Sequence, residues 1–194
     1  MAKIFFIIFS IVMLPLAAYP GRQRMINLKE QIVSLHKKGD ITPSLVLIEE
    51  YVKLNDHDLV MKLLHAKTLL FREDLIKPSL DDPRGAEKLA LIRQNYSRSA
   101  QIFSWAVPYL EKADPRNEHI GSWYFLWAMA EYFSGQKEKS RGLWYKAVKA
   151  DFTLSDSWYN IAAGYEALGQ YADADRYFKK YKTAEQELNE DVEN

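Results

Sequence analysis

A step of 34 residues constrains this chain more than any other feature. Sliding the last part of the sequence back by that step lays Trp158 on Tyr124, Ala162 on Ala128, Gly169 on Gly135, Gln170 on Gln136, Phe178 on Trp144 and Lys180 on Lys146. Within each copy the matched apolar positions advance by three, four and seven residues, which is the helical period rather than the strand period of two. Each copy therefore reads as two helices. A unit of that size cannot bury its apolar flank alone and must stack on its neighbours. The expected fold class is all-α, a short helical-hairpin solenoid.

The composition permits such a stack to pack. Of the 194 residues, 48% are hydrophobic and 27% charged, enough apolar material for a core and too even a charge for a disordered chain. Lys plus Arg number 26 and Asp plus Glu 26, so no net field draws the chain to nucleic acid. Cysteine is absent, which removes disulfides, thiol catalysis and thiolate metal sites.

Trp158-x2-Ile161-Ala162-x2-Tyr165, followed by Ala174-x3-Phe178, resembles the tetratricopeptide repeat pattern. The resemblance implies a right-handed superhelix of about four hairpins. Large Trp and Tyr side chains would fill the space between paired helices, small Ala162 and Ala174 would let backbones approach, and Gly169 would end a helix in the left-handed conformation. The preceding copy carries Tyr124, Trp127, Ala128, Gly135, Ser140, Trp144 and Ala147 in the corresponding places. Glu131 stands there in place of the expected aromatic, and Phe152 in place of the Pro that separates repeats. Ser155 is the expected N-cap of the final hairpin.

The resulting division places repeats at 120–154 and 155–188, with an acidic tail at 189–194. Gly39, Ser44, Ile48 and Tyr51 keep the spacing of Gly135, Ser140, Trp144 and Ala147, which marks a degenerate repeat at 25–58. Between these, 59–115 reads as an irregular pair. Its first helix covers Leu59 to Phe71, and its second, 86–112, carries one unbroken stripe of Leu89, Ile92, Tyr96, Ala100, Phe103, Val107 and Leu110. Pro108 is expected to kink that helix. The segment 72–84, with Pro78, Pro83 and Asp81-Asp82, reads as a loop inserted between the two.

At the start of the chain, Lys3, the apolar run Ile4 to Leu14, Pro15 and then Ala17 and Ala18 read as a signal peptide over 1–18. The run is short for a spanning helix. Residues 19–24 form a lead-in linker. The chain is expected to be exported, to a bacterial periplasm rather than secreted or anchored by an uncleaved leader, and membrane contact is expected only if the leader is retained.

Motifs for catalysis are missing: there is no Gly-x-Ser-x-Gly elbow, no phosphate-cradling glycine loop and no His-Glu-x-x-His. No two of His36, His57, His65 and His119 have the helical spacing that would put two ligands on one face. Asp56-His57-Asp58 reads as a turn in which Asp58 caps the next helix. Neither a metal, a cofactor nor a catalytic residue is expected, and a hydrolase with scattered residues is the minor alternative.

Binding is the expected activity. Phe125, Met129, Tyr132 and Phe133 form a second apolar stripe beside the core stripe of Tyr124, Trp127 and Ala128. The resemblance implies that first helices line a concave groove, which would join those four to Tyr159, Ala163 and Glu166 as contacts for a protein or peptide partner. A long preceding helix covering this stripe as an enlarged core is the competing reading. The family's Lys, Arg and Asn clamp for a terminal carboxylate is absent from its usual places, where Phe125, Tyr159, Met129 and Ala163 stand, so an apolar or aromatic peptide is the implied ligand. An assembly factor or scaffold of an envelope complex is the implied role. A self-associating subunit, pairing through the groove or through helix 86–112, is the alternative.

Overall fold

The computed structural model describes residues 20–72 and 82–193, so the leader 1–18 and most of the segment 72–84 lie outside the described residues. Within them the chain is helical and contains no strand. The helices are α1 (Pro20–Lys38), α2 (Ile41–Leu54), α3 (Leu59–Leu70), α4 (Gly85–Ala113), α5 (Ile120–Ser134), α6 (Lys137–Ala150), α7 (Ser155–Ala167) and α8 (Tyr171–Glu193), so residues 20–24, expected as a lead-in linker, are helical and open α1. Packing follows chain order, each helix lying chiefly against the one before and the one after. That is the quasi-one-dimensional arrangement of stacked hairpins.

Three hairpins close by one device. Gly39, Gly135 and Gly169 adopt φ of 80°, 101° and 73°, the left-handed region that a Cβ disfavours. Each glycine N–H donates to the carbonyl three residues back, at His36, Tyr132 and Glu166. The next N–H, of Asp40, Gln136 or Gln170, reaches back five residues to Leu35, Glu131 or Tyr165. This pair of bonds satisfies the last carbonyls of the helix and reverses the chain. Five residues after each glycine stands a buried small residue, Ser44, Ser140 or Ala174. The two serines share a geometry too, each hydroxyl donating at 2.7 Å to the carbonyl three residues back. The likeness of 39–44 to 135–140 is thus one of backbone as well as spelling.

The junctions between hairpins repeat as well. Asn55, Asp114 and Asp151 cap the ends of α2, α4 and α6 with φ of −143°, −138° and −147°, and each N–H closes onto the carbonyl four residues back. At 151 the Asp side chain completes the turn without Pro, accepting from the Thr153 N–H at 2.9 Å and its hydroxyl at 2.6 Å. Ser155, expected to cap α7, is instead its first residue; Leu154 holds the cap position and makes no side-chain bond. The Asp151 turn brings the chain in one residue early and leaves Ser155 buried within the helix. Asp58 does cap α3, its Oδ1 accepting from the Met61 N–H at 3.1 Å. Helix α4 continues through Pro108, which sits exposed on its solvent side.

The interior divides in two. A smaller core of Leu28, Ile32, Ile48, Tyr51 and Met61 joins α1, α2 and α3. The larger core runs from Leu63 and Ala66 through Phe103 and Val107 to Tyr124, Trp127, Ala128, Trp144, Ala147, Trp158, Ile161, Ala162 and Tyr177. In α8 the buried ring is Tyr177, not Phe178, which lies half-buried. Tyr177 stacks on Tyr165 at 5.3 Å and on Trp158 at 6.1 Å between ring centres, and those two partners set the rotation of α8 by one residue. Ala184 belongs to the same core, and Ala174 is buried as well.

Candidate functional site

Glu131 is where the aromatic expected by the repeat is missing, and its neighbours show the consequence. Its carboxylate is buried, accepts from the Trp127 indole N–H at 2.8 Å and pairs with Lys139 at 2.5 Å. In the next copy the same place holds Tyr165, whose hydroxyl meets that of Tyr145 at 3.1 Å. Burial, together with the Tyr165 and Tyr177 hydroxyls, raises the Tyr145 phenol well above its ordinary range. Tyr124 is pushed up to about 12 by burial and by its bond to Glu111 at 2.7 Å. Raised in this way, the Tyr124 and Tyr145 phenols stay protonated at neutral pH and serve the packing.

The seven groove residues expected from sequence do not share one lining. Phe125 and Met129 are half-buried against the larger core. Phe133, 45% exposed, stacks on Tyr96 of α4 at 5.0 Å, so the long helix covers part of the stripe. Tyr159, 49% exposed, leans edge-on against Phe178 and Tyr181 of α8. Glu166 is exposed. Tyr132, 41% exposed, and Ala163 border a cleft of about 220 Å³ between α5, α6 and α7.

That cleft is the candidate site. Tyr132 and Trp144 wall it, and their rings are 5.5 Å apart. Lys137 and Arg141 stand on the α6 side, and Asn160, Gly164, Ala167 and Leu168 on the α7 side. At Gly164 a built Cβ would meet nothing within 4 Å, so that side of the cleft is open. By contrast a Cβ on Gly121, at the start of α5, would sit 3.0 Å from the Asp151 Cβ and 3.1 Å from the Ala147 carbonyl. Gly121 thus lets α5 seat closely against the end of α6, whereas Gly164 faces open space. Trp144 is 4% exposed and its indole N–H has no acceptor, whereas Trp127 donates to Glu131 and Trp158 to the Phe152 carbonyl at 3.0 Å.

Sequence reasoning missed Lys137, Arg141, Asn160, Gly164 and Leu168. One signal was legible: Lys137, Arg141 and Trp144 fall at i, i+4 and i+7, on a single helical face. Among the described residues no group of three His, Cys, Asp or Glu side chains is placed to hold a metal ion, and no helix is long and apolar enough to cross a membrane.

The helix pairing defines an all-helical stack of hairpins as the class. No protein-family model matches the chain, and no curated protein matches it. Solved structures similar to it include a crystal structure of MamA, 18% identical, with 81% of this chain and 95% of that one covered and a TM-score of 0.41. A second crystal structure of MamA protein is 15% identical over 87% and 95%, with a TM-score of 0.43. MamA 41-end from Desulfovibrio magneticus RS-1 is 15% identical over 84% and 96%, with a TM-score of 0.42. The hairpin geometry described above, rather than likeness at this level, carries the assignment of class.

Proposed function

We propose that this protein is an interaction module of the tetratricopeptide kind, which holds a segment of another protein against its α5–α7 face and acts by binding rather than catalysis. The observation that carries the reading is the cleft itself: an opening walled by Tyr132 and Trp144, with open space at Gly164, in a surface that leaves Tyr132, Phe133 and Tyr159 between 41% and 49% exposed. Exposed aromatic surface beside a concavity is what a partner's side chains desolvate on binding. The leader-like segment 1–18 supports export to a bacterial envelope, and a role in assembling a complex there follows from the combination of export and binding.

A photo-crosslinking residue at position 132, compared with one at Tyr171, which is 70% exposed on α8, tests the reading in cells that make the protein. The expected outcome is a discrete adduct at 132 that disappears when Gly164→Leu fills the cleft. Equal adducts at both positions, or one indifferent to the filled cleft, would overturn it.

Self-association is a second reading, favoured by Trp105 and Tyr109 on α4. They are 47% and 57% exposed and stack at 5.7 Å, an aromatic pair facing solvent. Light scattering of the purified chain and of Trp105→Ser separates the two readings, since only a self-associating chain loses mass on that change.

A further inference from the structure

We infer that the occupant of the α5–α7 cleft is a protein segment carrying a carboxylate side chain next to a large apolar one. The inference rests on the reading above that this cleft is where the partner sits, and adds the partner's chemistry.

One wall of the cleft offers donors. Lys137, Arg141 and Trp144 line it from successive turns of α6, and none of the three side chains has a strong acceptor to give. Among the described residues neither cation meets a carboxylate: the Lys137 Nζ lies 5.9 Å from the Tyr132 ring centre and the Arg141 guanidinium 5.5 Å from that of Tyr165. Lys139, between them in sequence but outside the cleft lining, is paired with Glu131 at 2.5 Å. The Trp144 indole N–H also has no acceptor, but it is enclosed, so the two cations are the donors an occupant reaches. Glu138 is the one carboxylate in the lining, against two cations, so the mouth stays positive. Guanidinium and ammonium groups left in this way are complementary to a carboxylate.

The other wall offers room. Ala163, Gly164 and Ala167 present small side chains or none, and Leu168 closes the end. A space of about 220 Å³ is below the roughly 300 Å³ at which pockets for small-molecule ligands begin, so it suits inserted side chains better than a whole cofactor. The chain's balance of 26 basic and 26 acidic residues supplies no extended field for a phosphate backbone.

The test pans a random-peptide phage library on the full chain and on its Gly164→Leu variant. Leu is the better helix former and enters open space, so the variant should keep its helicity and Tm, which circular dichroism checks. Peptides retained by the open chain and not by the filled one should be enriched in Asp or Glu beside Leu, Ile or Phe. Synthetic copies of these should weaken about tenfold or more when the acid becomes its amide, and equally when Lys137 and Arg141 are both changed to Glu. Cleft-dependent peptides without acidic enrichment would overturn the inference and leave the cleft as the seat. Identical populations on open and filled chains would sink the seat itself. A fluorescent single-stranded oligonucleotide that binds, and is lost with Lys137→Glu/Arg141→Glu, would overturn it in favour of indiscriminate anion capture.

Discussion

The two ends of the stack are held together by different physics. From α5 to α8 the joints are broad aromatic surfaces capped by cations: Tyr177 lies among Trp158, Tyr165 and Tyr145, while Lys180, Arg141 and Arg176 rest on these rings. From α1 to α3 the core is small and mostly aliphatic, and directional bonds do the aligning. Lys29 and the Tyr51 hydroxyl donate to Asp58 at 2.9 and 2.8 Å, and the His36 Nε2 lies 3.2 Å from the Ser44 hydroxyl and 3.1 Å from that of Thr68. At the aromatic end shape suffices; at the α1–α3 end a few polar fasteners fix a register that the small core does not specify. The α1–α3 end is therefore chemically more exposed to its surroundings, above all to pH.

The sharpest way to break this comparison is Trp158→Ala, expected to cost about 3–5 kcal/mol. Hydrogen exchange should show the loss of protection concentrated in α7 and α8, and a loss spread evenly to α1 would refute the division. Gly121→Ala comes next, at about 1–3 kcal/mol by urea denaturation, because its methyl meets Asp151, Ala147 and Leu154 at 3.0–3.1 Å. Gly164→Ala is its control and should stabilise by a few tenths to about 1 kcal/mol; equal costs at the two glycines would contradict the geometry.

At the other end, Asp58→Ala should cost about 1 kcal/mol, with exchange quickening at the start of α3 while α5–α8 are unchanged. The Asp58 carboxyl resists ionisation through burial, but Lys29, the Met61 N–H and Tyr51 outweigh that and hold it below its ordinary value. Its contribution is therefore present above about pH 4 and lost as acid protonates the folded state.

The smallest effect is a titration between pH 7.5 and 5. His36 is lowered by burial and then by Lys67, and His65 by burial and then by Arg98, with Glu49 opposing from 3.8 Å, beyond hydrogen-bond reach. Because the unfolded chain takes up these protons first, stability should fall as pH drops through about 6.5. Residues 120–194 contain no histidine, so tryptophan fluorescence changes arising from Trp127, Trp144 or Trp158 in that window would run against expectation.

Much of the fold was legible because its devices are local. A left-handed glycine followed five residues later by a small side chain is spelled in the chain, and so is the stretch of the α4 stripe from Tyr96 to Leu110 that packs on the larger core, whereas Leu89 at its start lies exposed. The choice of Tyr177 over Phe178 was not, since two adjacent aromatics differ only by a rotation that Trp158 and Tyr165 decide. The cleft was hidden for a further reason. An aromatic stripe advertises itself, and Phe133 turns out to be stacked on Tyr96; a cleft depends on how three helices stand apart and on two cations that meet no carboxylate among the described residues, which leaves little trace along one sequence.

Packing that follows chain order has a mechanical side. Among the described residues the helices pack chiefly on their chain neighbours, so the molecule resembles a leaf spring in which bending is shared among many shallow joints. A cargo gripped between α5 and α7 would stay gripped while α1 and α2 part under load or acid, which suits a holder that must give with the assembly around it.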